Sequence, residues 1–284
     1  MIPSIPQPKA FRAVYGGYVI LFFAYLLLPL IVVAVFAFND SMFPSLPWGG
    51  ATLDWFFNDT EPRLGLFHDK RLLNSIWTSS YIAFWVTMLS VTVGTTNAFL
   101  FERHDFPFKK TLYMVMLLPL VVPGVILGIS ILVFFSTIAN WLENTFAVDL
   151  VFLRPSSFLV ILGQFSFITT ITTLVIAARL RKFDPALEEA AQSLGASRMI
   201  AVWTVTLPFL RPAIIGAAIV AFLMSFENFN TTLMLVGSDQ PLTIAMYGHL
   251  REGSTPELNA LSLLLMAVSG SLALLSVFVQ RDKS

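Results

Sequence analysis

The sequence lacks cysteine entirely and is poor in charge: among 284 residues there are only 17 Lys and Arg, 17 Asp and Glu, and three histidines. Without cysteine there are no disulfides, no thiolate catalysis and no Cys-ligated zinc. The charged fraction of 12% is about half that of an ordinary soluble domain. A net charge of zero removes the basic surface that nucleic-acid binding needs to displace phosphate counterions. No Gly-Lys dipeptide occurs, so there is no P-loop; G-x-S-x-G and H-E-x-x-H are missing as well. His68, His104 and His249 stand alone, outside any metal-ligand spacing.

What the chain has instead is long charge-free runs: 13–39, 72–101, 111–142, 155–178 and 258–280, with 212–238 interrupted only by Glu227. Each exceeds the roughly 20 residues a helix needs to cross a bilayer. Backbone groups in lipid must be satisfied within the segment, so helices are the expected form. The first run is too long for a signal-peptide core and lacks a small-residue cleavage site, so it reads as a retained span. The expectation is an all-α membrane protein with six transmembrane helices. Lys and Arg divide 12 against 5 between alternate connections, which places both termini in the cytoplasm. Trp48, Trp55, Trp77 and Trp141 fall near outer span ends, where interfacial aromatics belong. Residues 1–71 hold the tail, first helix and outer loop, and residues 72–280 form the main transmembrane domain.

The longest inner connection, 179–211, is patterned. Asp184 can cap a helix opening at Pro185, with Glu188 and Glu189 near the positive end of its dipole. Leu187, Ala190, Ala191 and Leu194 form a narrow apolar stripe suited to docking in a groove. Gly195 supplies a helix-ending position without a Cβ penalty. Ser197 can cap a second short helix ending at Leu207-Pro208, with Met199, Val202, Trp203 and Thr206 on one face.

Glu189-Ala190-Ala191, three residues, Gly195, nine residues and Val205-Thr206-Leu207-Pro208 resembles the EAA loop of ABC importer permeases, with Val205 in place of Ile. Phe38-Asn39-Asp40-Ser41, Thr52, Trp55, Asn74-Ser75, Ser254 to Ala260 and Gln280 to Lys283 look like the spermidine/putrescine branch, nearest its second permease subunit. The resemblance implies an ABC type I importer transmembrane domain, multi-pass in a bacterial inner membrane, that binds no cofactor itself. Its implied partners are a second permease, two ABC ATPase subunits that use ATP and Mg, and a periplasmic or lipid-anchored substrate-binding protein. Glu189, Ala190, Ala191 and Gly195 would contact the ATPase, with Glu188 and Arg198 as polar neighbours.

The solute path is expected around Glu227, the one acidic residue within a run, together with Ser225, Asn228, Asn230 and Thr231. An isolated carboxylate at membrane depth costs about 2.5–3.5 kcal/mol unless it faces a partner, water or a solute. The branch favours a polyamine. However, this chain has Asn228 where polyamine-type permeases tend to carry a second acidic residue, and Gly124 follows Pro123 where another is common. That leaves open an amino-acid derivative or opine-like solute. A secondary transporter coupled through Glu227 would leave the EAA-like loop unexplained, and an intramembrane enzyme would lack its nucleophile. Gly124-xxx-Gly128 reads as a packing surface. Trp85 reads as core, and Pro119, Pro123 and Pro208 as kinks or helix ends.

Overall fold

The computed structural model describes residues 8–43, 46–61, 63–253 and 256–281. Pro44 and Ser45 of the outer loop, and Ser254, Thr255, Asp282 and Lys283 of the short motifs, lie outside the described residues. The helices are α1 (Lys9–Phe36), α2 (Asp54–Phe57), α3 (Lys70–Arg103), α4 (Lys109–Val121), α5 (Gly124–Phe146) and α6 (Ser157–Leu180). They continue with α7 (Ala186–Ser193), α8 (Arg198–Ala201), α9 (Leu207–Phe226), α10 (Thr232–Leu235), α11 (Leu242–Glu252) and α12 (Pro256–Arg281). Among the described residues, six helical stretches are long and apolar enough to cross a membrane: Lys9–Phe36, Lys70–Arg103, Gly124–Phe146, Ser157–Leu180, Arg198–Phe226 and Pro256–Leu274.

Two of the expected spans are built differently from the charge-free runs. The run 111–142 holds two helices, because Val122 turns extended before Pro123 and α5 starts afresh at Gly124; a residue preceding proline is driven out of the helical region. The run 212–238 is entered early and left early. A π turn at Val202–Thr206 carries α8 straight into α9, and α9 stops at Phe226. Pro208 therefore does not end a helix: it follows the π turn directly, within helical backbone that continues into α9.

The chain divides into two compact units. The first comprises residues 1–69 with 250–267, so it takes in a stretch beyond the expected division at 71. Within it, α1 buries no residue and presents apolar side chains all round, as a helix in contact with lipid does. The outer loop is organised around Trp55, which is 2% exposed and donates its indole N–H to the Asn39 carbonyl at 2.8 Å. Asn39 Oδ1 accepts from the Gly49 amide at 3.0 Å, and Thr52 N–H closes onto the Phe38 carbonyl at 2.9 Å. Ala37, Trp55 and Ala260 form the apolar nucleus. Trp55 is thus not an interfacial anchor: a loop this rich in amides needs an apolar centre, and its largest ring supplies one.

The second unit comprises residues 70–249 with 268–284 and is built on α3, α6 and α9, which pack on one another. Helix α6 is the most enclosed of the six spans. Its buried threonines spend their hydroxyls on backbone carbonyls: Thr172 Oγ1 donates to Ser90 O at 2.8 Å, Thr173 Oγ1 to Thr169 O at 2.7 Å and Thr170 Oγ1 to Met116 O at 2.7 Å. Such satisfied small polar residues permit close helix approach in a membrane. At Gly94 the approach is closest, because a Cβ there would lie 2.3 Å from Thr172 Oγ1. Trp85 is 43% exposed, stacked edge-on with Phe84 and Tyr81 on the outer surface of α3, and so is not in this core.

Candidate functional site

The loop between α6 and α9 forms the first candidate site. Asp184 Oδ1 accepts from the Ala186 amide at 3.0 Å and Ser197 Oγ from the Ile200 amide at 3.3 Å, capping α7 and α8. Between them the chain reverses at Gly195, whose φ is +95. Gly195 N–H donates to Gln192 O at 2.9 Å and Ala196 N–H to Ala191 O at 3.1 Å, the paired bonds of a Schellman turn. The need for glycine is a backbone need, since nothing lies within 4 Å of where a Cβ would be.

Helix α7 buries none of its residues. Leu187 is 51% exposed and Leu194 90% exposed, with Ala190 open between them and Glu189 also exposed. Among the described residues none covers this apolar stripe. Arg198 is exposed beside it. Glu188 differs: its side chain is only 15% exposed, and its Oε1 accepts from Arg103 Nη2 at 3.3 Å and from Thr206 Oγ1. Nearby, Arg181 donates to Glu102 through Nε at 2.9 Å and Nη2 at 2.7 Å, and this carboxylate holds the guanidinium protonated well above its usual range. Neither pairing is visible in local sequence, because the partners lie 85 and 79 residues apart.

The second candidate site is where α9 ends. Residues 227–231 leave the helix and α10 begins at Thr232. Gln164 on α6, fully buried, pins this break: its amide donates to Thr232 Oγ1 at 2.8 Å and its Oε1 accepts from Ser225 Oγ. Asn228 Oδ1 in turn accepts from Thr232 Oγ1 at 3.0 Å, and Asn228 O accepts from Thr243 Oγ1 at 3.0 Å. A cavity of about 240 Å³ lies between this break and the one at Val122-Pro123, lined among others by Val122, Gly124, Asn228, Asn230 and Thr231. Gly124 and Gly128 let the broken segment approach α5 closely: their Cβ positions would meet Thr231 Oγ1 at 3.0 Å and Thr231 O at 2.9 Å. Non-helical backbone at membrane depth is tolerated where it is buried in protein or borders such a cavity.

The five residues expected on the path are therefore divided. Asn228, Asn230 and Thr231 line the cavity. Ser225 is buried in the hydrogen-bond network that shapes it. Glu227, the C-cap residue of α9 rather than a residue within the span, is exposed and accepts from Ser269 Oγ at 3.3 Å. Gln164, the hub of the network, is marked in the sequence only as the one side-chain amide in a span whose other polar residues, up to Arg179, are serines and threonines.

The chain is similar to the spermidine/putrescine transport system permease protein PotC of Escherichia coli strain K12, 25% identical over 274 residues, 96% of each chain. It is also similar to the putrescine transport system permease protein PotI of the same strain, 28% identical over 250 residues, 87% of this chain and 84% of that one. In fold it matches a chain of a bacterial ABC transporter involved in the import of alginate, with TM-score 0.75 and 19% identity, covering 96% of this chain and 95% of that one. Residues 90–281, most of the chain and both candidate sites, match the family of binding-protein-dependent transport system inner membrane components. The chain belongs to that family: it is a multi-pass inner-membrane component of a binding-protein-dependent importer, a transport subunit rather than an enzyme.

Proposed function

We propose that this permease subunit moves a polyamine such as putrescine or spermidine, and that it is driven through α7 by a separate ABC ATPase using ATP and Mg. The observation that carries the ATPase assignment is the stripe of Leu187, Ala190 and Leu194, open to solvent on a helix that buries nothing of its own. A 12-to-5 excess of Lys and Arg on the connections that include 179–211 supports a cytoplasmic position for this stripe and for both termini. A second permease subunit, a different chain as the relatives' branch suggests, would enclose the path, and a binding protein would deliver solute to the other face. Leu187, Glu189, Ala190 and Leu194 would enter the ATPase, Gly195 would hold the turn, and Arg198 would flank the contact.

The polyamine assignment rests on the Escherichia coli relatives together with Glu227, an exposed carboxylate at the break where α9 stops. Asn228, Asn230 and Thr231 offer amides and hydroxyls to replace water around amine N–H groups. A charge-assisted hydrogen bond is worth about 1.5–3 kcal/mol, so Glu227→Gln should raise the KM for labelled putrescine by about tenfold or more. Unchanged kinetics would remove Glu227 from the path. A less cationic amino-acid derivative or opine-like solute would ask for fewer counter-charges than a desolvated dication, but the relatives support the polyamine. Competition of putrescine uptake by amino acids and glycine betaine separates the two.

A further inference from the structure

Helix α7 has no buried residue, yet its seat on the rest of the second unit is specific. We infer that Arg103, Glu188 and Thr206 form a latch that transmits movement of α7 to α3 and α9 together. The inference rests on α7 being the ATPase-docking helix and goes beyond it, by naming the residues through which docking acts on the spans. One oxygen, Glu188 Oε1, gathers a donor from each side: Arg103 Nη2 at 3.3 Å from the last residue of α3, and Thr206 Oγ1 from the π turn that feeds α9.

Burial and competition single out this oxygen. The Arg103 and Glu188 side chains are 21% and 15% exposed, and Thr206 is fully buried. The Arg103 guanidinium also lies 5.2 Å over the Phe183 ring, which fixes its direction. Glu102, the neighbouring carboxylate on α3, is occupied by Arg181, while Arg103 reaches Glu188 instead. A cavity of about 530 Å³ opens beside the latch, lined by Phe99, His104, Arg198 and Met199 among others, so the ties are not braced by close packing on that side. A π turn is a helical irregularity that recurs at functional positions, and here it delivers the Thr206 hydroxyl to the carboxylate. Helices α3 and α9 then pack along α6, whose Gln164 holds the break at 225–232. A push on α7 therefore reaches α3 and α9 together through Glu188 Oε1, beside the packing of α7 on α8 and the π turn. In this role Arg103, Glu188 and Thr206 are positioning residues: none of them touches solute.

The test uses the complete transporter reconstituted in liposomes, with its own binding protein, as isolated from cells, as the probe. Arg103→Ala and Glu188→Gln are expected to retain the ATPase subunits at the wild-type ratio while binding-protein-stimulated ATP hydrolysis falls about tenfold, the scale of mutations along a coupling network. Exchanging the charges, with Arg103→Glu and Glu188→Arg in one chain, should recover a substantial part of that stimulation, and this pair decides the matter if the single variants do not accumulate. Wild-type stimulation in both single variants would overturn the latch, as would an exchanged pair no better than either one. Loss of the ATPase subunits from Glu188→Gln alone would also overturn it, by placing Glu188 on the partner. Failure of the docking assignment reads differently, as Ala190→Trp leaving subunit retention and stimulation unchanged.

Discussion

Ala190→Trp is expected to lower ATP-driven uptake by more than about 100-fold, a loss typical of a central interface residue, with the permease still at its normal level in the membrane. Ala190 lies open between Leu187 and Leu194, so the indole can point into solvent and the fold has no reason to fail. What it would meet is the groove that receives α7, and an overfilled groove excludes the helix. Gly195→Asp should have a comparable effect by another route. At φ +95 the residue lies beyond the left-handed well that Asp tolerates, and a non-glycine residue there costs about 1–2 kcal/mol. The turn would open and α7 would lose its angle to α8. Uptake in membrane vesicles, normalised to permease by immunoblot, measures both; normal uptake from either variant would remove α7 from the coupling path.

The second large effect is on folding. Gly94→Leu should reduce the permease recovered from membranes severalfold or more, because even its first side-chain atom would sit 2.3 Å from Thr172 Oγ1 and 3.1 Å from Thr173 N. Neither helix can yield easily: Thr172 Oγ1 is bonded to Ser90 O, and Ser90 Oγ accepts from Thr169. Overpacking such a site costs about 1–3 kcal/mol and more when backbone is the obstacle. Gly94→Ala should fall between, and Gly94→Ala with Thr172→Ala should recover part of the loss. Size-exclusion profiles of the purified protein make the comparison. A Gly94→Leu protein that is monodisperse at wild-type yield would contradict the packing of α3 on α6.

The residues differ in how far local sequence betrays them. Asp184, Gly195 and Ser197 act within two or three positions of themselves, so caps and the turn between them are legible from spacing alone. Charge-free runs likewise locate spans, since length and apolarity are one-dimensional properties. They do not locate breaks. Where Val122-Pro123 splits a run, proline chemistry suggests a break, but the approach of Thr231 to the new helix start at Gly124 comes from more than 100 residues away. Glu227 sits in an apolar run, yet α9 has ended one residue before it, with Gln164 from another helix fixing the turn through Ser225 and Thr232. Trp55 resembles an interfacial aromatic by position and is a loop core by contact. Glu188 carries the clearest lesson. In sequence it is one of two adjacent glutamates, and only the approach of Arg103 and Thr206 distinguishes it from the exposed Glu189.

The most direct measurement is uptake of labelled putrescine into proteoliposomes holding this permease with its partner permease and ATPase subunits, with its binding protein outside and ATP enclosed. The predicted result is saturable uptake that requires ATP and the binding protein, survives a proton ionophore and disappears with Ala190→Trp. Uptake that proceeds without ATP and collapses with the ionophore would contradict the assignment of this chain to an ATP-driven importer.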